Sequence, residues 1–236
     1  MNELLLFGTL ILVFGTTLLL FRFFGRSGLF VWSAVATILA NIEVLVVIRA
    51  FGLEQTLGNV LFAVTFLITD ILSECYGKKT ANKAVWLGIC SSIFFVILSQ
   101  SWLMYQPSES DWVSPSLRVV FEATPRVVIA SLVVYGICQF FDVWLYHKWW
   151  TFTEKKFGNR RAFLWLRNNG STLISQFLNT VLFNVFAFAG IYETPTLLSI
   201  IFTGYLIYVF TSLLDTPFVY WARKIHDGFE KKGITD

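Results

Sequence analysis

Seven long apolar runs constrain the fold of this 236-residue sequence more than any other feature. A helix needs about 20 mostly apolar residues to cross a bilayer. The runs are continuous rather than alternating, which disfavours a membrane β-barrel. The sequence therefore predicts an all-α polytopic membrane protein with seven spans. These cover approximately residues 3–21, 29–50, 57–76, 84–104, 118–146, 172–191 and 197–221.

The composition excludes several other classes of protein. Hydrophobic residues make up 56% of the chain and charged residues 14%, whereas a soluble domain is about 25% charged. A net charge of +3 is too small to predict a nucleic-acid partner. The cysteines Cys75, Cys90 and Cys138 have no paired spacing, and both histidines lie outside the runs. We therefore predict no disulfide framework, no metal site and no cofactor.

The basic residues predict how the spans are oriented. If the N-terminus is outside, 15 of the 18 Lys and Arg fall in inner segments at 22–28, 77–83 and 147–171 and in the tail from residue 222. Cytoplasmic loops carry such an excess. Seven spans with a cytoplasmic C-terminus in the plasma membrane are thus expected. If the first run did not cross, six spans would place the N-terminus in the cytoplasm.

Two acidic residues in the third run are the leading functional candidates, because ionisable groups inside a membrane are costly. Asp70 and Glu74 are four residues apart and share one helix face. They repel unless a cation, a proton or a donor-rich ligand joins them. We predict a substrate-binding or proton-coupling face. The alternative for Glu74 is an interfacial pair with Lys78.

A polar stripe follows the sixth run, where Thr172, Gln176 and Asn179 recur at helical spacing. In lipid these groups must face protein or a water-filled cavity. Their amides supply both donors and acceptors to a planar heterocycle. The alternative is hydrogen bonding between helices without a ligand.

Three further charges within the runs leave two interpretations open. Arg126, Asp142 and Asp215 either form a binding site or make structural ion pairs. The alternative partners are Glu43 or Glu122 for Arg126, Lys148 for Asp142 and Arg223 for Asp215.

Four motifs together resemble the queuosine-precursor transporters, also called the vitamin uptake transporter family. The resemblance, together with Asn41, covers most of the chain from about residue 35 to residue 224. The motifs are TDILSECYGKKTA (69–81), RVVIASLVVYGICQFFDVWLY (126–146), RNNGSTLISQFLNT (167–180) and LLDTPFVYWA (213–222).

The resemblance implies a six-helix core that imports 7-deazaguanines: preQ0, preQ1 or queuine. It places the family's acidic motif on Asp70 and Glu74 and its arginine on Arg126. Its Gln-x-x-Asp motif falls on Gln139 and Asp142, and its polar stretch on Asn169, Ser171, Thr172, Gln176 and Asn179. With Asn41, the predicted substrate-binding residues are Asn41, Asp70, Glu74, Arg126, Gln139, Asp142, Thr172, Gln176 and Asn179. Some relatives carry a lysine in the last span that this sequence lacks, so no charge pair is assigned there.

We interpret the whole chain, 1–236, as one transmembrane domain. Residues 1–28 form a peripheral N-terminal helix that the six-helix core, 29–222, does not require. Residues 147–171 mix aromatic and basic side chains, as in a cytoplasmic segment lying in the headgroup layer, and 223–236 form a cytoplasmic tail. The bilayer itself is therefore a predicted partner.

The chemistry of a deazaguanine fits these residues. The ring presents two adjacent N–H donors that one carboxylate, such as Asp70, accepts together. Gln176 and Asn179 read the remaining polar edges, and a second carboxylate favours the basic amine of preQ1 or queuine. Proton coupling through Asp70 or Glu74 and facilitated diffusion both remain open.

Other functions are less consistent with the sequence. No span contains a histidine for a serine protease, the GxGD motif of an intramembrane aspartyl protease is missing, and the last span has no Schiff-base lysine. We therefore predict that the protein is not an enzyme. A transporter of another heterocyclic vitamin or nucleobase, or a substrate-binding subunit of an energising complex, is the alternative. Whether the protein forms a homodimer is left open.

Overall fold

A computed structural model describes residues 1–122, 125–159, 161–191 and 193–233, with the backbone alone at 53–55 and 125–128. Six of its helices are long and apolar enough to cross a membrane, which confirms the predicted all-α polytopic membrane protein. The elements are α1 (Asn2–Glu43), β1 (Val47–Ala50), β2 (Leu53–Thr56), α2 (Gly58–Tyr76), α3 (Lys78–Leu103), α4 (Ser114–Phe121), α5 (Pro125–Phe157), α6 (Leu164–Phe188) and α7 (Thr194–Lys231).

Helix α1 is folded back on itself at Gly25, whose φ of 56° and ψ of −142° interrupt the helical geometry. The indole N–H of Trp32 donates to the Thr17 hydroxyl at 2.9 Å, which a continuous helix would place far apart. A Cβ on Gly28 would clash with the Leu20 carbonyl oxygen, so the two arms, 2–24 and 26–43, lie close together. Each arm is long enough to span a bilayer. They correspond to the first two predicted spans.

A β-hairpin replaces the predicted end of the second span. That span was expected to continue to residue 50, but α1 ends at Glu43 and Val47–Ala50 pairs antiparallel with Leu53–Thr56. Phe51 and Gly52 have φ of 53° and 76°, the geometry of a two-residue hairpin turn. The β-branched run before the turn favours a strand, although its apolar character also fits a membrane helix.

The ends of three further segments differ from the predicted ones. The span expected at 118–146 begins in the separate helix α4, and α5 starts only at Pro125. The predicted interfacial segment 147–171 is not a separate helix, since α5 continues to Phe157 and α6 begins at Leu164. Its position at the membrane surface stays a prediction. The expected tail is helical as far as Lys231.

The chain order of these elements gives the bundle two distinct ends. At one end the N-terminal residues are hydrogen-bonded to the β-hairpin. Asn2 donates to the Arg49 carbonyl at 2.9 Å, and Glu3 accepts from the Phe51 N–H at 3.1 Å. We call this the hairpin end. The other, called the basic end, contains the turn at Gly25, the α2–α3 junction at Gly77, the α5–α6 connection and the C-terminal residues.

Helix α2 lies at the centre of the bundle and is buried over most of its length. It packs against α1, α3, α5 and α7, with Leu67, Ile68 and Ile71 fully inaccessible. By contrast α3 and α7 expose large apolar side chains such as Phe94 and Phe202. These outward faces suit contact with lipid, and the polar residues of α2, α5, α6 and α7 are left to meet inside.

Candidate functional site

Polar side chains inside the bundle form three layers between the hairpin end and the basic end. The first is an open cavity, the second a buried cluster of carboxyl groups, and the third an ion-pair network. Helix α2 runs through all three, with Asn59 in the cavity, Asp70 in the buried cluster and Glu74 in the network. The other contributions come mainly from α5, α6 and α7.

The cavity at the hairpin end encloses about 520 Å³ together with its open mouth. It continues into a neighbouring space of about 770 Å³ that shares Asn59, Asn179 and Tyr208. The described side chains that line this cavity include aromatic and polar ones but no charged ones. The side chains that give it this character are Thr37, Asn41, Asn59, Phe62, Ser131, Tyr135, Asn179, Phe183 and Tyr208.

Hydrogen bonds and close packing fix the cavity wall. The Tyr208 hydroxyl donates to the Asn59 side-chain oxygen at 2.9 Å, which joins α7 to α2. Gly88 leaves room for Tyr135, because a Cβ there would clash with the Tyr135 hydroxyl oxygen. Tyr135, Tyr208 and Asn59 are functional candidates that the sequence did not single out as binding residues. In the sequence, the indication of a functional role was that these three residues are polar and lie within apolar runs.

Asn41 lines the cavity, as a predicted binding residue should, but its amide is also used structurally. Its nitrogen donates to the Thr37 carbonyl at 2.9 Å and to Ser92 at 3.2 Å, and its oxygen accepts from Ser131 at 3.1 Å. These bonds connect α1, α3 and α5. Asn41 therefore positions the wall as well as facing the space.

Below the cavity, Gln139 joins α5 to α2. Its amide nitrogen donates to the Thr65 hydroxyl at 2.6 Å, and its oxygen accepts from Thr69 at 3.1 Å. Both ends of this side chain are thus engaged within the protein. Along α2, the bonded residues Thr65 and Thr69 lie between the cavity residue Phe62 and Asp70.

Three carboxyl groups from three helices form the buried cluster: Asp70, Asp142 and Asp215. None of them is more than 2% exposed. Thr172 donates to Asp70 at 3.0 Å, and Asn168 donates to Asp215 at 2.9 Å. The structure thus brings together Asp70, Asp142 and Thr172, three of the predicted residues, and adds Asp215.

The carboxyl group of Asp142 has polar neighbours but lacks hydrogen bonds to them. Its carboxyl group faces Asp70 and the hydroxyls of Ser171 and Ser175, yet neither oxygen has a hydrogen bond of ordinary geometry among the described residues. One oxygen of Asp70 and the side-chain oxygen of Gln176 are likewise buried without a partner. Most buried polar atoms in proteins are hydrogen-bonded, so the unpaired oxygens mark this layer as a candidate binding site.

Glu74 lies in a different environment, at the centre of the ion-pair network. The Arg167 guanidinium donates to its two oxygens at 2.9 Å and 2.7 Å, and the Tyr146 hydroxyl donates at 2.7 Å. Arg223 lies 3.5 Å away. The alternative pair with Lys78 is wrong, since Glu74 is held by Arg167 and Arg223 from α6 and α7.

Arg167 is a buried residue that the sequence placed in the inner segment 147–171. Its side chain is fully inaccessible, and its guanidinium carbon lies 4.5 Å from the centre of the Trp150 ring. It also donates to the Ala162 carbonyl at 2.7 Å, which ties the α5–α6 connection to the network. The position of Arg167 directly before the polar stretch of α6 was the indication in the sequence.

An open cleft lies beside this network at the basic end. Its volume, including the mouth, is about 660 Å³, and Glu74, His147, Trp150 and Glu154 are among its lining residues. The buried cluster therefore lies between two recesses, one at each end of the bundle. Such an arrangement suits a binding site that is reached alternately from two sides.

The remaining sequence alternatives have specific outcomes. Arg223 contacts Glu74 rather than Asp215, and Lys148 lies over the Trp144 ring at 5.3 Å. The side chain of Arg126 lies outside the described residues, so its predicted role is untested. Glu122, one of its suggested partners, pairs with Arg118 at 3.3 Å.

Among the described residues, one group could in principle hold a metal ion. Ligand atoms of His226, Asp227 and Glu230 lie within 4.8 Å of one another, but Asp227 already forms an ion pair with Arg161.

Comparison with known proteins agrees with these features. A family model described as "Putative vitamin uptake transporter" matches residues 56–222. A protein of Bacillus subtilis (strain 168) named "Probable queuosine precursor transporter" is 39% identical over 215 residues, covering 91% of this chain and 92% of that protein. No solved structure matches the chain. The chain therefore belongs to the vitamin uptake transporter family.

Proposed function

We propose that this protein imports queuosine precursors, the 7-deazaguanine bases preQ0, preQ1 or queuine, across the plasma membrane. The similarity to the Bacillus subtilis protein supports the class of substrate. The structural observation that carries the proposal is the uncharged aromatic cavity leading toward a buried carboxyl group. From Phe62 in the cavity wall to Asp70 is only two helical turns of α2, or about 12 Å.

Recognition of the ring would begin in the cavity. Phe62 and Phe183 offer aromatic surfaces for the flat faces of the base, and such stacking adds to the burial of apolar area. The Asn179 amide offers a donor and an acceptor to its edge. No charged group is needed at this stage, which suits a neutral heterocycle leaving water.

Deeper binding would bring the ring to Asp70. A carboxylate accepts two parallel N–H bonds from the guanine-like edge, an arrangement that is stronger than neutral hydrogen bonds. Thr172 already holds one Asp70 oxygen, and the unpaired Gln176 oxygen lies buried at this depth. Asp142 remains a proposed contact of the substrate in the same layer.

The path between the two positions requires rearrangement of the Gln139 bonds to Thr65 and Thr69. At the basic end, release would require the Glu74–Arg167 pair to separate. In this structure the Gln139 bonds thus lie between Asp70 and the cavity, and the Glu74 network lies between Asp70 and the cleft at the basic end. With the N-terminus outside, the base would enter from the hairpin end.

Precursor-limited rescue tests the proposed function. A host that cannot make 7-deazaguanines, and that lacks its own importer, is supplied with preQ0, preQ1 or queuine, and queuosine is measured in its tRNA. We expect expression of this protein to restore queuosine at a low external concentration of at least one base. Absence of rescue by all three, with the protein present in the membrane, would reject these substrates and favour another heterocycle.

A copurification experiment separates a stand-alone carrier from a subunit of an energising complex. We expect the purified chain, reconstituted alone, to exchange labelled base across a vesicle membrane. An absolute requirement for a copurifying ATPase would contradict the stand-alone carrier.

A further inference from the structure

The buried cluster of Asp70, Asp142 and Asp215 is unusual because no basic side chain among the described residues compensates it. Among the described residues, none of the three makes an ion pair, and the two nearby arginines, Arg167 and Arg223, engage Glu74 instead. Isolated charges are expensive to bury, and more so within a bilayer. The cluster therefore needs a positive charge that the described side chains do not supply.

Unpaired oxygens of other kinds lie at the same site. Asn168 donates its amide nitrogen to Asp215, but its own oxygen is buried without a partner. Ser73 lies one turn from Asp70 toward the basic end, where it borders the cleft, and its buried hydroxyl is also unpaired among the described residues. A cluster held together by internal hydrogen bonds alone would not leave these acceptors unused.

We propose that this cluster binds the coupling proton, with Asp142 and Asp215 as proton-binding residues beside Asp70. The inference rests on the proposed function, because the proton would enter and leave with the imported base. Asp70 and Asp142 face each other directly. Two carboxyl groups in contact repel when both are ionised, and a shared proton removes that repulsion.

Sodium fits the site less well than a proton. Transporters usually bind Na⁺ with carbonyl oxygens from unwound helix segments. Here α2 and α6 remain helical past Asp70 and Thr172, so their carbonyls are already hydrogen-bonded. In α7, Pro217 removes the helical donor to the Leu213 carbonyl alone. The hydroxyl hydrogens of Ser171 and Ser175 are likewise donated to helix carbonyls.

The neighbouring titratable groups do not replace the cluster as proton carriers. Toward the basic end, Glu74 of α2 is held by Arg167 of α6, Arg223 of α7 and Tyr146 of α5. Toward the hairpin end, Cys138 of α5 is fully buried one turn from Asp142. This assigns coupling to the cluster and removes Glu74, the second sequence candidate, from that role.

Vesicles containing the purified protein test the proposal with preQ0, which lacks the basic amine of preQ1 and so is not trapped by the pH gradient itself. The membrane potential is clamped at zero with valinomycin and equal K⁺. One proton carried with each neutral base supports accumulation of about tenfold for one pH unit, acid outside. We expect this accumulation in the wild type, with collapse upon addition of a protonophore.

The variants Asp142→Asn and Asp215→Asn should both lose the accumulation. Asp215→Asn, which changes no proposed substrate contact, should keep exchange of labelled for unlabelled preQ0 at equal pH. Glu109→Gln, which removes an exposed carboxylate at the hairpin end, serves as the matched control and should accumulate normally. Full accumulation by both Asn variants, or accumulation driven by Na⁺ alone, would overturn the proposal. Absence of exchange in the wild type would instead contradict the proposed function.

Labelling by dicyclohexylcarbodiimide, which modifies protonated buried carboxyl groups, keeps the proposal testable if either variant fails to fold. In the wild type we expect peptide mass spectrometry to find adducts on Asp70, Asp142 or Asp215 that decrease as pH rises and are prevented by preQ0. An unmodified cluster at every pH would overturn the assignment, whatever the behaviour of the variants.

Discussion

At the scale of single residues, Asp70 and Glu74 show how much their surroundings determine their roles. They lie one turn apart on α2, yet Glu74 accepts hydrogen bonds from Arg167 and Tyr146 whereas Asp70 accepts one from Thr172. Glu74 is therefore committed to holding helices together. One oxygen of Asp70, by contrast, has no hydrogen-bond partner among the described residues.

Replacing Asp70 by Asn should abolish uptake without preventing membrane insertion. The amide has nearly the same shape but lacks the charge that strengthens both hydrogen bonds to the base, each worth roughly 1.5–3 kcal/mol. Uptake of labelled preQ0, normalised to the amount of protein in the membrane, measures the loss. Glu109→Gln is the control for carboxylate removal, and normal transport by Asp70→Asn would exclude the proposed ring contact.

Replacing Glu74 by Gln should act mainly on stability. It leaves the buried Arg167 guanidinium without its charge partner, and breaking such a pair costs roughly 3–5 kcal/mol. Thermal unfolding of the purified protein should show a lower midpoint. Glu154→Gln changes a carboxylate that lines the same cleft and is exposed, so it should leave the midpoint unchanged. A fully stable Glu74→Gln protein that no longer transports would restore Glu74 as a substrate contact.

The candidate residues could be recognised from the sequence because polar groups are rare in apolar runs, but their partners could not. Asp70 and Thr172 are 102 positions apart, and Glu74 and Arg167 are 93. Only the tertiary arrangement of the helices decides which of them meet. That is why the sequence could single out Glu74 but could not pair it with Arg167.

At the scale of elements, hydrophobicity predicted which segments form membrane-spanning helices but not the residues at which those helices end. The run after Glu43 is apolar enough for a membrane helix, and the turn at Phe51 and Gly52 converts it into a hairpin. Conversely, α5 continues past Lys148 to Phe157, because charged residues end a hydrophobic run without ending a helix. The turn at Gly25 depends on a backbone conformation that composition does not reveal.

The close approach of the two arms of α1 gives a prediction with a built-in control. Gly28→Ala places a Cβ against the Leu20 backbone, and overpacking of this kind costs about 1–3 kcal/mol. Gly15→Ala meets nothing within 4 Å and should be neutral or slightly stabilising, since Ala favours a helix. Thermal unfolding should therefore separate the two variants. Equal midpoints would show that the arms are not tightly packed.

At the scale of the whole molecule, the three layers distribute function along the bundle axis. In the proposed mechanism the uncharged cavity would admit the base, the carboxyl cluster would take it up with a proton, and the Glu74 network would separate it from the far side. The sequence predicted most of these residues as one central site. Their order in depth depends on the antiparallel course of α5 and α6, which places Tyr135 and Asn179 at one end and Trp150 and Arg167 at the other.

The direction of transport depends on which end faces the cytoplasm. Seven crossings put the termini on opposite sides, and the basic residues predict that the C-terminus lies inside. Single cysteines at positions 109 and 232, both exposed, can report this in a protein whose Cys75, Cys90 and Cys138 are replaced by Ala. In intact cells an impermeant maleimide should label Glu109→Cys, and it should label Lys232→Cys only after permeabilisation. Labelling of both in intact cells would require an even number of membrane crossings between residues 109 and 232, instead of the three made by α5, α6 and α7. The reverse pattern would turn the cavity at the hairpin end toward the cytoplasm.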